Sequence, residues 1–271
     1  MEEYLQQISV ILIKTSHPGN IGSTARAMKT MGLKNLILVS PKEFPSKKAD
    51  ALASGATDLL ENAKVVDSLD KALEGHHLIL ATSARSRSLQ WPVLAPQEAA
   101  KKALSFIKDS ECKQKVAILF GEERIGLEND ALACAHYHLI IPTSDEYSSL
   151  NLSQAVQVIS YVCRENAISL FESKNQDYLN NSEINSEINS EINSEINSEI
   201  KDVQDRLADA SQVKGLMDHL DKVMTDTQFV DPKQPKQLRL RLQRLFQRAQ
   251  LSLREVNILR GICTAVLRKI D

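Results

Sequence analysis

The chain has 271 residues, 42% of them hydrophobic, with 33 Lys and Arg against 35 Asp and Glu and a formal net charge of −2. Such a near-balance excludes a uniformly basic, histone-like protein, and the length allows two domains with a packed core. The longest apolar run is about six residues, Ile8 to Ile13, far short of the roughly 20 a membrane span needs. The acidic start Met1-Glu2-Glu3 is unlike a signal peptide. Cys112, Cys134, Cys163 and Cys263 are too widely spaced for a CxxC pair, so a reduced, cytoplasmic setting is expected rather than a disulfide framework or zinc site.

The charge is uneven along the chain. Residues 1–164 carry 18 bases and 18 acids, residues 165–200 one Lys and eight acids, and residues 201–271 14 bases and nine acids. A neutral body, an acidic strip and a basic tail are expected. The body alternates β-branched runs with amphipathic stretches. Ile8–Ile13, Leu36–Ser40, Lys64–Val66, His77–Thr82, Lys115–Phe120 and Tyr137–Ile141 read as strands, mostly continuous in hydrophobicity, as strands buried on both faces are. Helices are expected over about 20–31, 50–60, 68–74, 96–107, 128–134 and 150–172, with Gly32 and Gly75 closing two of them. The alternation predicts an α/β, Rossmann-like parallel sheet with helices on both faces.

Residues 181–200 are five copies of Asn-Ser-Glu-Ile. A period of four drifts about 40° per repeat on a 3.6-residue helix, so the isoleucines form no single face and 174–201 reads as a solvated linker between a 1–173 body and a 202–271 tail. The tail shows no strand signal and predicts helices at about 203–225, 235–249 and 252–269. In the middle one, Leu238, Leu242, Leu245 and Ala249 share a face, and Arg241, Arg244 and Arg248 form a separate stripe. Eight bases against one acid between Lys233 and Arg260 suit a polyanion, with phosphate as the counterpart.

Neither a P-loop nor GxGxxG is present, and HExxH and GxSxG are also missing. His136 and His138 share a strand face without a third ligand nearby and read as structural or interfacial rather than as metal ligands. Three segments follow predicted strand ends, where open α/β sheets bind ligands. The first runs from Thr15 to Met28; its Gly19 and Gly22 are expected to let the backbone turn and a bulky ligand approach, with Arg26 reaching over the strand ends. The second, Leu119 to Leu127, is a charged loop between Gly121 and Gly126. The third, Ile141 to Ser153, enters a helix at which Ser149 or Asn151 serves as N-cap.

In this order, NxGSxAR, FGxExxGL and SSLNLxxAV resemble the three motifs of the SPOUT class of RNA ribose 2′-O-methyltransferases, in its SpoU family. The flanks Thr82-Ser83-Ala84-Arg85-Ser86-Arg87 and Trp91-Pro92 and the helical end (Arg244 to Ala249, Asn257 to Ile262) extend the likeness to members that modify nucleotide 32 of the tRNA anticodon loop. The resemblance implies a deep trefoil knot, a homodimer building each active site from two chains, and S-adenosylmethionine as cofactor, with no metal. It assigns cofactor contacts to Thr82, Ser83, Ala84, Gly121, Ile141, Ser148, Ser149 and Leu150. It makes Arg26 the catalytic arginine, with Asn20, Glu123, Ser149 and Asn151 as polar partners. Arg85 and Arg87, with the tail stripe of Arg241, Arg244 and Arg248, are expected to contact RNA. Glu122 stands where some relatives carry a base, placing acidic charge near the RNA path. Methylation of another tRNA position or of ribosomal RNA, and a non-catalytic RNA-binding role, are the alternative functions.

Overall fold

The computed structural model describes residues 1–83, 91–110, 113–230 apart from 183–205, and 238–270. Seven parallel strands form one sheet in the order β3-β2-β1-β6-β4-β7-β5: β1 Ile8–Ile13, β2 Asn35–Val39, β3 Lys64–Val66, β4 His76–Thr82, β5 Val93–Leu94, β6 Lys115–Phe120 and β7 Tyr137–Leu139. The six expected strands are all present. The two-residue β5 adds an edge that carries too few residues to leave a periodic signal.

Continuous hydrophobicity translates directly into two cores. Val10 and Leu12 of β1, with Val116, Ile118 and Phe120 of β6, face one side; Ile11, Ala117 and Leu119 face the other. The first side is covered by helices α1 (Glu2–Leu5), α2 (Pro18–Met31), α3 (Lys47–Ala53), α4 (Thr57–Glu61), α6 (Pro96–Asp109) and α8 (Leu152–Ser182), the second by α5 (Leu69–Leu73) and α7 (Asn129–Ala133). Gly32 closes α2 at φ +83°, its N–H meeting the Lys29 carbonyl, and Gly75 follows α5 at φ +72°; the left-handed backbone explains both glycines.

Gly19 and Gly22 are both buried within α2, and Gly22 has a different role from the one expected: a Cβ there would stand 2.0 Å from the Ala49 carbonyl oxygen of α3. Glycine here permits two backbones to touch; it does not open a path for a ligand. Gly22→Ala must therefore part α2 from α3, at about 1–3 kcal/mol, and is expected to lower Tm by several degrees without altering the cavity described below.

After β4 the chain crosses to the sheet edge at β5, and β7 later enters the gap between β4 and β5. The connection from β4 to β5 includes residues 84–90, outside the described residues; the trefoil knot expected above falls in part on them. Helix α8 continues to Ser182, so the first residues of the expected linker, 174–182, complete this helix; 183–201 lie outside the described residues.

The tail comprises α9 (Ala210–Asp226), α10 (Leu238–Ala249) and α11 (Leu253–Ile270). Helix α9 starts later than expected. Its cap is Asp209, whose carboxylate accepts the Gln212 N–H at 2.9 Å while Gln212 Oε1 accepts the Asp209 N–H at 2.9 Å. Just before it, Ala208 and Leu253 donate N–H bonds to Leu251 and Arg206, and Ala208, Val213, Leu216 and Val256 form a small core.

The expected apolar face of α10 is not its buried face. Leu245 is 45% exposed, whereas Gln247 is 6% exposed. The helix turns Gln243, Arg244 and Gln247 toward the body. Gln243 donates to Cys134 Sγ at 3.3 Å, and the Arg244 guanidinium lies 5.3 Å from the centre of the Trp91 ring. An arginine over an indole is one of the contacts on this docked side. Trp91 is fixed in turn: its Nε1–H donates to the Ala135 carbonyl at 3.1 Å, and the ring stacks on His138 at 5.1 Å.

Candidate active site

The carboxyl ends of β4, β6 and β7 converge on a cavity of about 290 Å³, close to the usual size range of small-molecule sites. Thr82 ends β4, its hydroxyl donating to the Leu119 carbonyl at 2.8 Å, and the Ser83 N–H donates to the Leu139 carbonyl at 2.9 Å. The loop after β6 folds back on itself, with the Gly126 N–H on the Glu122 carbonyl at 2.8 Å. Gly126 has φ +73°, and a Cβ on Gly121 would lie 2.1 Å from the Gly126 carbonyl carbon. Glycines are required at both positions, one for its left-handed backbone and one for the close approach. Residues 141–150 form the remaining wall, braced by a Thr143 hydroxyl bond to the Ser148 carbonyl.

Of the residues expected to hold the cofactor, Thr82, Ser83, Gly121, Ile141, Ser148, Ser149 and Leu150 all line this cavity. Ala84 lies outside the described residues, as do Arg85 and Arg87. The cavity lining combines apolar side chains (Leu127, Leu132, Leu139, Ile141) with hydroxyls (Thr82, Ser83, Ser148, Ser149) and the charged Glu122, Glu123 and Arg124. A ligand with both an apolar ring and polar groups fits such a lining.

The three motifs meet beside the cavity through one carboxylate. Glu123 Oε2 accepts the Ser16 N–H at 3.0 Å and the Ser16 hydroxyl at 2.7 Å; Oε1 accepts the Asn20 amide at 2.8 Å and the His17 N–H at 3.2 Å. Asn20 Oδ1 then accepts the Asn151 amide at 3.0 Å, and Asn151 Oδ1 accepts the Ser153 N–H at 2.9 Å and its hydroxyl at 2.7 Å. Asn151, not Ser149, caps α8. Partial burial would raise the Glu123 pKa, but the Asn20 amide and the two Ser16 donors win and hold it down at about 2. Glu123 is a permanently charged brace and a poor proton acceptor near neutrality.

Arg26 is not drawn into this network. It lies exposed on α2, does not line the cavity, and has no acidic partner among the described residues. Glu122 is 2.8 Å from Lys42 Nζ, so its charge is balanced locally. Arg241 and Arg248 are exposed, while Arg244 is half-buried against Trp91. His136 Nδ1 accepts the Ile79 N–H at 3.1 Å, and His138 Nε2 lies 3.2 Å from the Leu132 carbonyl, the structural roles expected. Sequence reasoning left Ser16, Ser153 and Lys42 out of the site. Ser16 falls in the first motif segment, but its carboxylate partner is 107 residues away.

Residues 7–161 match the SpoU rRNA Methylase family, and residues 211–271 match the C-terminal domain of the tRNA methyltransferase TrmJ. The chain is 43% identical over 262 residues to the tRNA (cytidine/uridine-2′-O-)-methyltransferase TrmJ of Photorhabdus laumondii, covering 97% of both proteins. It belongs to the TrmJ group of the SpoU methylases. The corresponding Pseudomonas aeruginosa protein, named for cytidine, uridine and adenosine, is 42% identical over 262 residues, covering 96% of this chain and 93% of that one. The crystal structure of TrmJ from Z. mobilis ZM4 superposes with a TM-score of 0.75 at 26% identity, covering 96% of this chain and 98% of that one. Body and tail thus each match a part of TrmJ, with the repeat between them. The chain is a methyltransferase of this family, and the cavity at the strand ends lies within its SpoU domain.

Proposed function

We propose that the chain transfers a methyl group from S-adenosylmethionine to the ribose 2′-hydroxyl of nucleotide 32 in the tRNA anticodon loop. The observation that carries this reading is the joining of all three motifs through Glu123, Asn20 and Asn151 at the edge of a cavity that seven of the expected cofactor residues line. The cofactor supplies a methyl group already activated by its sulfonium. Leu127, Leu132, Leu139 and Ile141 would enclose its adenine, and Thr82, Ser83, Ser148 and Ser149 would meet its polar groups.

What remains for the protein is alignment and charge. The 2′-oxygen must be held in line with the methyl group, which is worth several kcal/mol of barrier when the geometry is fixed. Arg26 is assigned to the substrate phosphate and to the negative charge that develops on the 2′-oxygen. A guanidinium stays protonated and is a poor base, and Glu123 is spent on its four donors; the proton leaves to water or another neighbour. An Arg26 that stands outside its own chain's cavity suits an active site completed by a second copy, so the working form is a homodimer. Because the ribose hydroxyl is common to every nucleotide, these groups read position rather than base.

The test is transfer of labelled methyl from S-adenosylmethionine to unmodified tRNA transcripts, followed by ribose mapping. Label on the 2′-oxygen of nucleotide 32 is the expected result. Label at another nucleotide would keep the chemistry and overturn the position, and no label on any RNA would overturn the reading.

A further inference from the structure

A second cavity, of about 260 Å³, lies between body and tail. The body contributes Trp91, Pro92 and His136, and α10 contributes Arg244, Gln247 and Arg248. Pro92 and His136 immediately precede β5 and β7, so this cleft sits at the amino ends of the strands, away from the cofactor cavity. No carboxylate lines it among the described residues.

Its chemistry is that of a donor site. His136 is buried, and its Nδ1 already accepts the Ile79 N–H. The ring proton is therefore on Nε2, which has no hydrogen-bond partner among the described residues. Arg248 is exposed at the rim, with no acidic partner among the described residues. Arg244 is oriented by the Trp91 ring. Gln247 is buried in the wall with its Oε1 unpartnered. A buried amide oxygen without a partner is unfavourable, and a hydroxyl or water entering beside it relieves this. Because Trp91 is engaged by both His138 and Arg244, it has little free face on which a base could stack. The cleft suits the RNA backbone rather than a base.

We propose that this cleft is a subsite for a backbone phosphodiester of the RNA, distant from the methyl-transfer centre, in which Arg248, Arg244 and the His136 Nε2–H hold the phosphate. The subsite rests on the tRNA reading above. It makes the joint between body and tail, rather than the exposed tail surface alone, a point of RNA contact.

Trp91 is the sole tryptophan of the chain, so its selectively excited fluorescence reports on this cleft directly. Full-length protein would be titrated with an unmodified tRNA transcript over a salt series, and separately with inorganic phosphate. Wild-type protein should show a saturable change in Trp91 emission with tRNA. In Arg248→Ala the affinity should fall several-fold and the slope of log affinity against log salt should drop by about 1, the loss of one phosphate contact. Gln247→Glu, which puts a carboxylate in the wall, should weaken binding at least as much. Wild-type affinity and slope in both variants, with tRNA still bound, would overturn the subsite and leave the tRNA reading standing. Failure of the wild type to bind tRNA would overturn that reading and with it the phosphodiester assignment. Emission that then still responded to inorganic phosphate would assign the cleft to a free phosphate, and no response to either probe would remove the site.

Discussion

Arg26→Lys is expected to lower kcat by about 10²–10³, the usual cost of removing one preorganised group facing developing charge. Lysine keeps the charge but loses the planar fork that meets a phosphate and an alkoxide together. Because Arg26 is exposed and does not line the cavity, cofactor affinity by calorimetry and Tm should match the wild type. Near-normal turnover in Arg26→Lys would refute a role for the guanidinium geometry. The two-chain site can be tested with the same position. Arg26→Ala and Gly121→Val, the latter forcing a side chain into the Gly126 backbone, should each be inactive. Co-expressed and purified as mixed dimers, they should recover activity that neither has alone, since one of the two composite sites is then intact. No recovery would assign the whole site to a single chain.

The second large effect is expected at Glu123. Glu123→Gln keeps one acceptor oxygen and replaces the other with an NH₂ that cannot accept, so either the two Ser16 donors or the His17 and Asn20 donors lose their partner. Leaving such donors unpaired costs about 1–3 kcal/mol. Displacing Asn20 also releases Asn151, so turnover should fall about 10–100-fold. The pH dependence has a definite sign. The folded-state pKa of Glu123, about 2, lies below its ordinary 4.5, so the carboxylate stabilises the fold above the ordinary value and that contribution is lost as pH falls from 4.5 toward 2. Melting curves of wild type and Glu123→Gln should be well separated at neutral pH and converge toward pH 2. A separation that stayed constant through that window would show that the stabilisation does not depend on ionised Glu123.

The sheet was readable because Ile8–Ile13 and Lys115–Phe120 are buried on both faces, which writes their position as unbroken hydrophobicity. The cavity was readable because its residues follow strand ends. Other features were hidden for physical reasons. Gly22 announces only that a side chain is not tolerated there; that the obstacle is the Ala49 backbone is a fact of tertiary packing. The leucines of α10 carry a helical stripe, yet the side that docks carries Gln243 and Arg244, whose partners Cys134 and Trp91 lie in another domain. Ser16 looks like an ordinary loop serine until a carboxylate 107 residues later reaches it. Local periodicity cannot encode partners at that separation.

The place of β7 bears on how the protein is made. Leu139, Ile141, Ser148, Ser149, Leu150 and Leu152 line the cavity at the strand ends, and the chain delivers them only after the strands on either side, β4 and β5, have been laid down. A nascent polypeptide that has emerged only as far as about residue 135 holds the glycine loop and Thr82 but not the wall that faces them. On the proposed assignment of this cavity to the methyl donor, affinity for that donor arrives late in synthesis, and a ribosome-bound fragment lacking β7 is expected not to bind it.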